Sequence, residues 1–517
     1  MRSHRTPRAV IIGAGIGGLT SALDLAARGV EVLVLEASAS PGGKMRQIVL
    51  NGRAIDSGPT VLTMRWVFEG LFEDVGERFA DHVTLQPADV LARHAWHDGA
   101  RLDLFADIDR SADAIGDFSG SGEAERFRAF CDRARTTYTT LENSFIRSRQ
   151  PTPLSLTRSA GLKGLSDLWR ISPFTSLWSA LGSYFRDERL RQLFGRYATY
   201  CGSSPFDAPA TLMLVSHVEQ SGVWLVQDGM HSLAVALEAC AKKKGATFRY
   251  DSPVHDIRVE HGKVHGVTLA SGEQISADLV IVNADAAAVA GGLFGAAVKP
   301  AVPAIAPASR SLSAVTFSML AKASGFPLSR HNVFFSRNYR KEFDEIFGAR
   351  QVPAAPTIYV CAQDRGAGAD DTDRGGDAPE RLFCLINAPA IGDVRSLQPE
   401  EIDRCQDRVF NLSQQAGLVL QPTAMAVTTP ADFHRLYPGT GGALYGQASH
   451  GWNASFTRPT ARTKIPGLYL AGGSTHPGPG VPMAALSGRL AAATILEDLT
   501  SAKRSPSPAT SGGMSTA

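Results

Sequence analysis

The chain of 517 residues is 44% hydrophobic and 20% charged, a composition typical of globular proteins rather than of disordered chains. Its length exceeds what one hydrophobic core usually supports, so we expect two or three domains. The formal net charge of +2 gives no indication of a nucleic-acid partner, and no continuous apolar stretch of about twenty residues predicts a membrane-spanning helix.

Six cysteines are scattered along the chain without a Cys-x-x-Cys pair: Cys131, Cys201, Cys240, Cys361, Cys384 and Cys405. This pattern is typical of reduced thiols in the cytoplasm and argues against a clustered zinc or iron–sulfur site. We therefore expect a cytoplasmic protein without a bound metal, in which these side chains mostly fill hydrophobic cores.

Residues 8–36 have the pattern of a βαβ dinucleotide-binding unit. A β-rich run precedes Gly13-x-Gly15-x-x-Gly18, and an apolar helical segment and a second strand then lead to Glu36. Gly13 allows a tight turn, Gly15 lets the backbone approach a pyrophosphate, and Gly18 lets the helix pack against the strand. Glu36 has the spacing of an acid that binds ribose hydroxyls. The adjacent residues that we expect to contact the same nucleotide are Ala14, Ile16, Gly17 and Ala37.

Two other interpretations of this unit are weaker. Arg2, Arg5 and Arg8 before an uncharged run resemble a secretory signal, but a signal needs neither the glycine spacing nor a following strand that ends in an acid. A strand, turn and helix without a nucleotide would also explain the glycines taken alone.

A second glycine-rich loop after Glu36 bears on the choice of cofactor. It reads Pro41-Gly42-Gly43-Lys44-Met45-Arg46, and Gly58-Pro59-Thr60 follows it after a polar turn. Nicotinamide enzymes have no general need for such a loop, whereas flavoproteins with two dinucleotide-binding domains place one beside the cofactor. The sequence thus favours FAD over NAD, although either piece alone is compatible with a turn without a ligand.

The middle of the chain is helical and basic. Residues 119–124 read as a Gly/Ser connection before a helix at 125–141, and helical patterns rich in Leu, Phe and Trp fill residues 154–200. The basic residues of this region are Arg158, Lys163, Arg170, Arg186, Arg189, Arg191 and Arg196. Such a region is compatible with an insert that lies in a membrane interface, and equally with a buried helical subdomain that has a solvated basic face.

The chain then returns to the nucleotide-binding domain and builds a second sheet. A helix at 232–244 and a strand at 278–283 are predicted on either side of Val254. In flavoproteins of this architecture the residue at Val254 lies with its backbone against the adenine, and Asn283 closes that side of the fold. Antiparallel strands are expected at 312–322, 357–361 and 381–387, with an amphipathic helix at 400–415.

The last informative stretch carries a strand into Gly472-Gly473 and a Pro/Gly loop. Val481-Pro482-Met483 then lead into a helix at 484–499, whose N-terminus would direct positive potential at a flavin. His476 in the loop is either an acid–base group or an imidazole bonded to the backbone.

We therefore predict an α/β fold with three parts. A Rossmann-like FAD-binding domain comprises residues 6–70, 222–295 and 440–500, and an antiparallel-sheet substrate domain comprises residues 71–118 and 296–439. A helical, membrane-associating insert spans residues 119–221, and residues 501–517 form a disordered, low-complexity tail.

Together these motifs resemble the carotenoid and retinoid oxidoreductases, typified by bacterial phytoene desaturase. The similarity covers nearly the whole chain and rests on GAGIGGL, PGGK, DSGPT, CGSSPFDAPA, GVWLVQDGM, VNAD and GLYLAGGSTHPGPGVPMAALSGRLAA. The last block is most similar to the branch of 1-hydroxycarotenoid 3,4-desaturases, or methoxyneurosporene dehydrogenases. One departure is Asp228, where the family commonly has glycine.

The resemblance implies an FAD enzyme that forms the C3–C4 double bond of a 1-hydroxy or 1-methoxy acyclic carotenoid by hydride transfer. It implies a protein peripheral to the inner membrane, with oxygen or a quinone as electron acceptor. His217 and Glu219 are candidate catalytic groups near the reacting end, or ordinary residues of a helix surface. The alternatives are a phytoene or other carotene desaturase, a retinol-saturase or amine-oxidase type enzyme, and a non-catalytic prenyl-lipid carrier of the GDP-dissociation-inhibitor type.

Overall fold

The structure is a computed structural model that describes residues 6–152, 174–366 and 378–504. The strands are β1 Arg8–Ile12, β2 Glu31–Leu35, β3 Gln47–Leu50, β4 Arg53–Asp56, β5 Leu85–Pro87, β6 Val90–Ala95, β7 Arg101–Phe105, β8 Trp224–Val226, β9 Thr247–Arg249, β10 Val254–Glu260, β11 Lys263–Leu269, β12 Gln274–Ser276, β13 Leu279–Val282, β14 Ser313–Ser324, β15 His331–Phe334, β16 Ile358–Ala362, β17 Glu380–Ala388, β18 Val419–Thr428 and β19 Leu468–Leu470. The α-helices are α1 Ile16–Ala26, α2 Trp66–Asp74, α3 Ile108–Ser119, α4 Ser121–Leu141, α5 Leu177–Tyr184, α6 Glu188–Gly195, α7 Leu214–Gln220, α8 His231–Lys243, α9 Ala286–Gly291, α10 Tyr339–Phe343, α11 Pro399–Gln415, α12 Pro430–Leu436 and α13 Val481–Arg504.

A five-stranded parallel sheet carries the βαβ unit, with strand order β19-β13-β1-β2-β9. β1 is central, pairing Val10 with Leu33 on one side and with Val280 on the other. Both faces of this sheet are covered by hydrophobic clusters, which is why its strands read as continuous apolar runs. The sheet draws on three separated parts of the chain, and the α/β class predicted from the sequence is confirmed.

A seven-stranded sheet with order β18-β14-β17-β16-β15-β6-β7 forms the second half of the molecule. The predicted strands at 312–322, 357–361 and 381–387 correspond to β14, β16 and β17. Sequence patterns missed β18 because it contains Pro422, which cannot donate to a ladder. The structure accommodates this proline at the sheet edge, beside a register shift between Leu320 and Ala321.

Two helices differ from the prediction, α4 at its start and α13 at its end. Only Gly120, at φ +93°, separates α3 from α4, so the Gly/Ser connection predicted for 119–124 is wrong and its last residues form the first turn of α4. Helix α13 extends to Arg504, so the tail predicted from residue 501 is helical in its first four residues. Residues 505–517 lie outside the described residues.

Residues 174–200 are the described part of the basic helical stretch. Phe185 and Phe194 stack at 4.8 Å between ring centroids and are fully buried in a core shared with α4, and Arg189 pairs with Asp187. This part therefore has a buried aromatic core, with Arg186 exposed at its surface. The other basic residues of the stretch, Arg158, Lys163 and Arg170, lie outside the described residues. Within the described residues, no helix combines the length and apolar character needed to cross a bilayer.

Candidate active site

A cavity of about 1180 Å³ runs between the parallel sheet and the seven-stranded sheet. It exceeds the ~300–1,000 Å³ of most small-molecule sites, which leaves room for a cofactor and a long second ligand. The predicted cofactor residues that line it are Gly13, Gly15, Ile16, Gly17, Glu36, Ala37, Gly42, Gly43, Lys44, Arg46, Gly58, Pro59, Thr60, Val254, Asn283, Gly472, Gly473, Val481, Pro482 and Met483.

Ala14 and Gly18 are the two predicted cofactor residues that do not line the cavity. The backbone N–H of Ala14 donates to Glu36 Oε2 at 2.6 Å, so this residue orients the acid from behind. A Cβ at Gly18 would lie 2.1 Å from the carbonyl oxygen of Gly13, so Gly18 serves the packing of helix against strand.

The glycine-rich end of the cavity, which we call the cradle, is formed by Gly13, Gly15, Gly17 and Gly472. The side chain of Asn283 explains why these positions need glycine. Its side-chain amide donates to the carbonyl of Gly13 at 3.1 Å. A Cβ at Gly15 would lie 2.9 Å from Asn283 Nδ2, and one at Gly17 or Gly472 would lie 2.7 Å from Asn283 Oδ1. The glycines of two distant segments thus pack around one asparagine, and the backbone stays open to a ligand.

The N-termini of two helices, α1 and α13, line the glycine-rich end of the cavity. Gly15 precedes α1 without a side-chain cap, and the first turn of α1 holds no acidic residue. The first residues of α13, Val481–Met483, line the same cavity. Uncapped N–H groups and partial positive charge suit the phosphates and ring of a dinucleotide.

Glu36 lies at the end of β2 with its carboxylate held from two sides. Oε2 accepts from Ala14 N, and Oε1 accepts from Ser38 N at 2.8 Å. Because both bonds come from backbone N–H groups, the carboxylate is fixed at the cavity wall and keeps lone pairs for ribose hydroxyls. These features fit a bound dinucleotide.

The second glycine-rich loop ties the two halves of the molecule together. Lys44 Nζ donates to the carbonyl of Leu444 at 2.6 Å, and Arg46 Nη2 donates to Thr428 Oγ1 at 2.8 Å. Burial lowers the pKa of the Lys44 ammonium, while the charge of Asp285 opposes that shift. The loop therefore positions basic groups at the boundary between the cofactor cradle and the seven-stranded sheet.

The backbone at position 228 tolerates aspartate, where the family commonly has glycine. It adopts φ +65°, a left-handed conformation that aspartate enters more readily than most residues. The next residue, Gly229, cannot be replaced as easily, since a Cβ there would lie 2.2 Å from Asp56 Oδ2. Asp56 also accepts from Met230 N at 2.6 Å and so anchors the start of α8.

The other end of the cavity is mainly apolar. Its walls come from α7, from the 3₁₀ segment Ala210–Met213 and from strands of the seven-stranded sheet. The apolar residues that line it include Ile146, Leu212, Leu214, Val215, Val218, Phe383 and Leu385. Such walls suit a hydrocarbon chain and keep water away from it.

A polar cluster of Arg196, Tyr197, Tyr200 and Glu219 interrupts these apolar walls. Arg196 Nη1 donates to the Tyr200 hydroxyl at 2.7 Å, and the hydroxyls of Tyr200 and Tyr197 donate to the two oxygens of Glu219. Burial raises the pKa of the Glu219 carboxyl, against the opposing effect of the Tyr197 hydrogen bond and of the Arg196 charge.

Sequence reasoning flagged Glu219 but assigned Arg196 only to a basic surface. The structure places Arg196 half-buried, at the cavity wall. The available signal was the spacing Arg196-Tyr197-x-x-Tyr200, which directly precedes the Cys201–Ala210 block that carries the family resemblance.

The two candidate histidines do not reach the cavity wall. His217 lies on α7 with its ring 5.0 Å from that of Tyr138, and it is not among the cavity-lining residues, unlike Glu219 two residues later. His476 is buried, its Nε2 lies 2.9 Å from the carbonyl of Ser148, and burial lowers its pKa to about 4. The structure thus brings Glu219 to the cavity, and it leaves His217 and His476 outside.

Comparison with known proteins agrees with this geometry. Residues 16–496 match the family of flavin containing amine oxidoreductases. The chain belongs to this family and, within it, to the carotenoid desaturases, and it is an FAD-dependent oxidoreductase. It is 54% identical to hydroxyneurosporene desaturase of Rubrivivax gelatinosus, over 99% of this chain and 97% of the relative. It is 43% identical to that of Cereibacter sphaeroides, over 96% of this chain and 99% of the relative.

Solved structures share the fold at much lower identity. Putrescine oxidase bound to putrescine is 13% identical with a TM-score of 0.58, over 96% of this chain and 99% of that one. Cyclohexylamine oxidase from Brevibacterium oxydans is 16% identical with a TM-score of 0.57, over 96% and 100%. These likenesses concern the fold alone.

Proposed function

We propose that this protein is an FAD-dependent desaturase that introduces the C3–C4 double bond of a 1-hydroxy or 1-methoxy acyclic carotenoid. The observation that carries the proposal is the cavity of about 1180 Å³, in which a dinucleotide cradle continues into apolar walls that suit a hydrocarbon chain. The similarity to hydroxyneurosporene desaturases along nearly the whole chain supports the choice of substrate.

The chemistry requires the breaking of two C–H bonds on neighbouring carbons. One carbon loses a hydride, the neighbouring carbon loses a proton to water or to a base, and the electron pair left by the proton forms the new double bond. A bound FAD supplies the hydride acceptor. Conjugation with the polyene stabilises the cation that forms on the carbon that loses hydride. The protein therefore mainly has to bind and orient the substrate and exclude water from it.

The residues of this chain perform those tasks from both sides of the cavity. The cradle around Asn283, the carboxylate of Glu36 and the N-termini of α1 and α13 would hold the cofactor. The apolar walls from α7 and the seven-stranded sheet would align the polyene and exclude water. We assign Glu219 to the polar end of the substrate and propose no catalytic role for His217, which lies away from the cavity wall.

The alternatives fit the site less well. An amine-oxidase reaction requires binding of a cationic or basic substrate, whereas the cavity presents the guanidinium of Arg196. A lipid carrier without flavin has no use for the glycine cradle around Asn283. A phytoene or other plain carotene desaturase would leave the polar cluster without a substrate partner.

The membrane surface and the electron acceptor complete the proposal. Phe174 and Trp452 are 67% and 47% exposed, their rings lie 5.4 Å apart, and both line the cavity. An exposed aromatic pair at a cavity mouth suits entry of a carotenoid from a membrane interface. This pair supports our proposal that the protein lies at the cytoplasmic face of the inner membrane. Oxygen or a membrane quinone then receives the electrons.

The test is turnover of matched substrates in liposomes. Purified FAD-loaded protein should convert the hydroxylated polyene to a product whose absorbance is shifted to the red, because conjugation lengthens. Equal turnover of phytoene would favour the plain carotene desaturase. Turnover of an amine without any carotenoid activity would overturn the proposal, and so would a colourless protein that takes up no FAD.

A further inference from the structure

The side chain of Arg196 is an unusual group for the wall of an apolar cavity. No carboxylate of the described residues lies within 4.0 Å of its guanidinium, whereas most arginines of the chain pair with an acid. Its only hydrogen bond within the described residues goes to Tyr200. Its other nitrogens are not among the fully buried unpaired atoms, and Arg196 lines the cavity. Several N–H donors of Arg196 are thus available to a ligand.

The position of Arg196 places these donors beside the cofactor end of the apolar chamber. Its guanidinium lies 5.3 Å from the ring centroid of Tyr359. The hydroxyl of Tyr359 is 2.6 Å from Thr60 Oγ1, and Thr60 is one of the predicted cofactor residues. A group bound by Arg196 would therefore lie close to the cradle, separated from Thr60 by the side chain of Tyr359.

Glu219 offers the complementary acceptor. Its Oε1 receives only a long hydrogen bond of 3.4 Å from Tyr200, while Tyr197 occupies Oε2. Arg196 and Glu219 both bond to the Tyr200 hydroxyl, and both line the cavity, so a donor and an acceptor lie near each other at its wall. A hydroxyl group can accept from the first and donate to the second at the same time.

We infer that Arg196 and Glu219 form the recognition site for the terminal hydroxyl of the substrate and thereby select 1-hydroxy carotenoids over plain carotenes. The inference rests on the proposed function and deepens it. In such a substrate the hydroxyl oxygen is only a few bonds from C3 and C4. A hydroxyl anchored at this cluster therefore holds the reacting carbons next to the cradle, whereas a plain carotene offers no acceptor to the remaining N–H groups of Arg196.

Binding should be measured without turnover, on FAD-loaded protein kept reduced by dithionite. The circular dichroism that a polyene acquires in a chiral site reports its binding. The probes are the 1-hydroxy carotenoid, its 1-methoxy ether and the same polyene without an oxygen. We expect wild type to bind the hydroxylated probe about 10- to 100-fold more tightly than the plain one, with the methoxy probe between them, because the ether oxygen accepts from Arg196 but cannot donate to Glu219.

Arg196→Met is the decisive variant, and Arg191→Met is its matched control. Arg191 lies five residues earlier, on α6, donates to the carbonyl of Phe185 and does not line the cavity. In Arg196→Met the preference should fall to about onefold while binding of the plain polyene is kept. Arg191→Met should keep the full preference. Arg196→Lys should restore part of it, because an ammonium can still donate to the hydroxyl.

The outcomes separate this inference from the proposed function. An unchanged preference in Arg196→Met, or an equal loss of binding for all probes, would show that Arg196 is only structural. If Arg196→Met does not fold, wild type still decides, because equal affinity for the methoxy and plain probes overturns the inference. Equal binding and turnover of hydroxylated and plain polyenes by wild type overturns the inference and leaves desaturation standing. Absence of binding to every carotenoid overturns both.

Discussion

Asn283 and Glu36 shape the predicted cofactor cradle at the level of single residues. Asn283 occupies the space that side chains at three glycines would need, which keeps the backbone open. Glu36 is fixed by two backbone N–H groups, so its orientation is set before any ligand arrives. A preorganised acceptor of this kind loses little entropy on binding a ribose.

Replacement of Glu36 tests this preorganisation. Glu36→Gln keeps the size of the side chain but removes the charge, and we expect the dissociation constant of FAD to rise about 10-fold or more. Glu31→Gln at the exposed start of the same strand is the control and should leave FAD affinity unchanged. Titration of the cofactor-free protein by flavin fluorescence measures both values. Equal affinity in Glu36→Gln and wild type would remove the carboxylate from the cofactor site.

Glu342 provides a pH-dependent test of the core behind the cavity. It is buried, accepts from Ser336 Oγ and from both N and Oγ1 of Thr357, and burial raises its pKa to about 7. Between pH 4.5 and 7 the unfolded chain releases a proton that the folded chain retains, so stability falls as the pH rises through this window.

We therefore expect wild type to lose roughly 3 kcal/mol of unfolding free energy relative to Glu342→Gln between pH 4.5 and pH 7. Denaturant unfolding of both proteins across this range gives the difference. The exposed Glu400→Gln is the control for loss of a carboxylate at the surface. A constant difference for Glu342→Gln would contradict the assigned shift.

At the scale of elements, the crossing of α1 and α13 holds the cradle in place. Thr20 Oγ1 donates to the carbonyl of Ala485 at 3.1 Å, and Ser21 Oγ donates to the carbonyl of Gly488 at 3.0 Å. Small residues at the crossing let the two helices approach closely, and this approach brings both N-termini to the cavity.

Gly488→Ala should disrupt this crossing. A Cβ at this position would lie 2.1 Å from Thr20 Oγ1 and 2.2 Å from the carbonyl oxygen of Gly17, so the helices must separate. We expect a loss of about 2–3 kcal/mol in unfolding free energy together with weaker FAD retention. Gly291→Ala at the end of α9 is the control, because a Cβ there has nothing within 4 Å. Chemical unfolding and flavin content after gel filtration report both effects, and wild-type values for Gly488→Ala would refute the role of the crossing.

The elements of the fold were predictable where local pattern and tertiary environment agree. The βαβ unit has apolar strands and spaced glycines, and strand β14 is a mainly apolar run; in both, the sequence pattern agrees with the observed burial. Strand β18 was missed because Pro422 opposes a strand locally and is accepted only at a sheet edge. In the site, the glycine loops carried recognisable spacing. Arg196 could not be placed, because its spacing is equally typical of a solvated helix face and only the fold turns it towards the cavity.

At the scale of the whole molecule, one cavity connects the cradle, the polar cluster and an exposed aromatic mouth. The division into three domains and the membrane-associating insert remain predictions. Under the proposed function, the substrate would enter from a membrane interface at the exposed pair Phe174 and Trp452.

Removal of this aromatic pair tests the membrane contact. Phe174→Ser with Trp452→Ser should weaken binding to anionic vesicles about 10-fold or more, because two aromatic side chains no longer bury apolar area. Turnover of detergent-solubilised substrate should change less. The control is Val49→Ser with Val394→Ser, since these valines are also exposed but do not line the cavity. Equal loss in both double variants would argue against a specific docking surface.

The central claim is that this flavoprotein desaturates a hydroxylated carotenoid, and an anaerobic half-reaction tests it most directly. FAD-loaded protein is mixed with the 1-hydroxy carotenoid in liposomes without oxygen or quinone, and flavin and polyene absorbance are followed together. We predict bleaching of the flavin with a matching red shift of the polyene, one new double bond for each flavin reduced. A flavin that stays oxidised with carotenoids but bleaches with an amine would contradict the account.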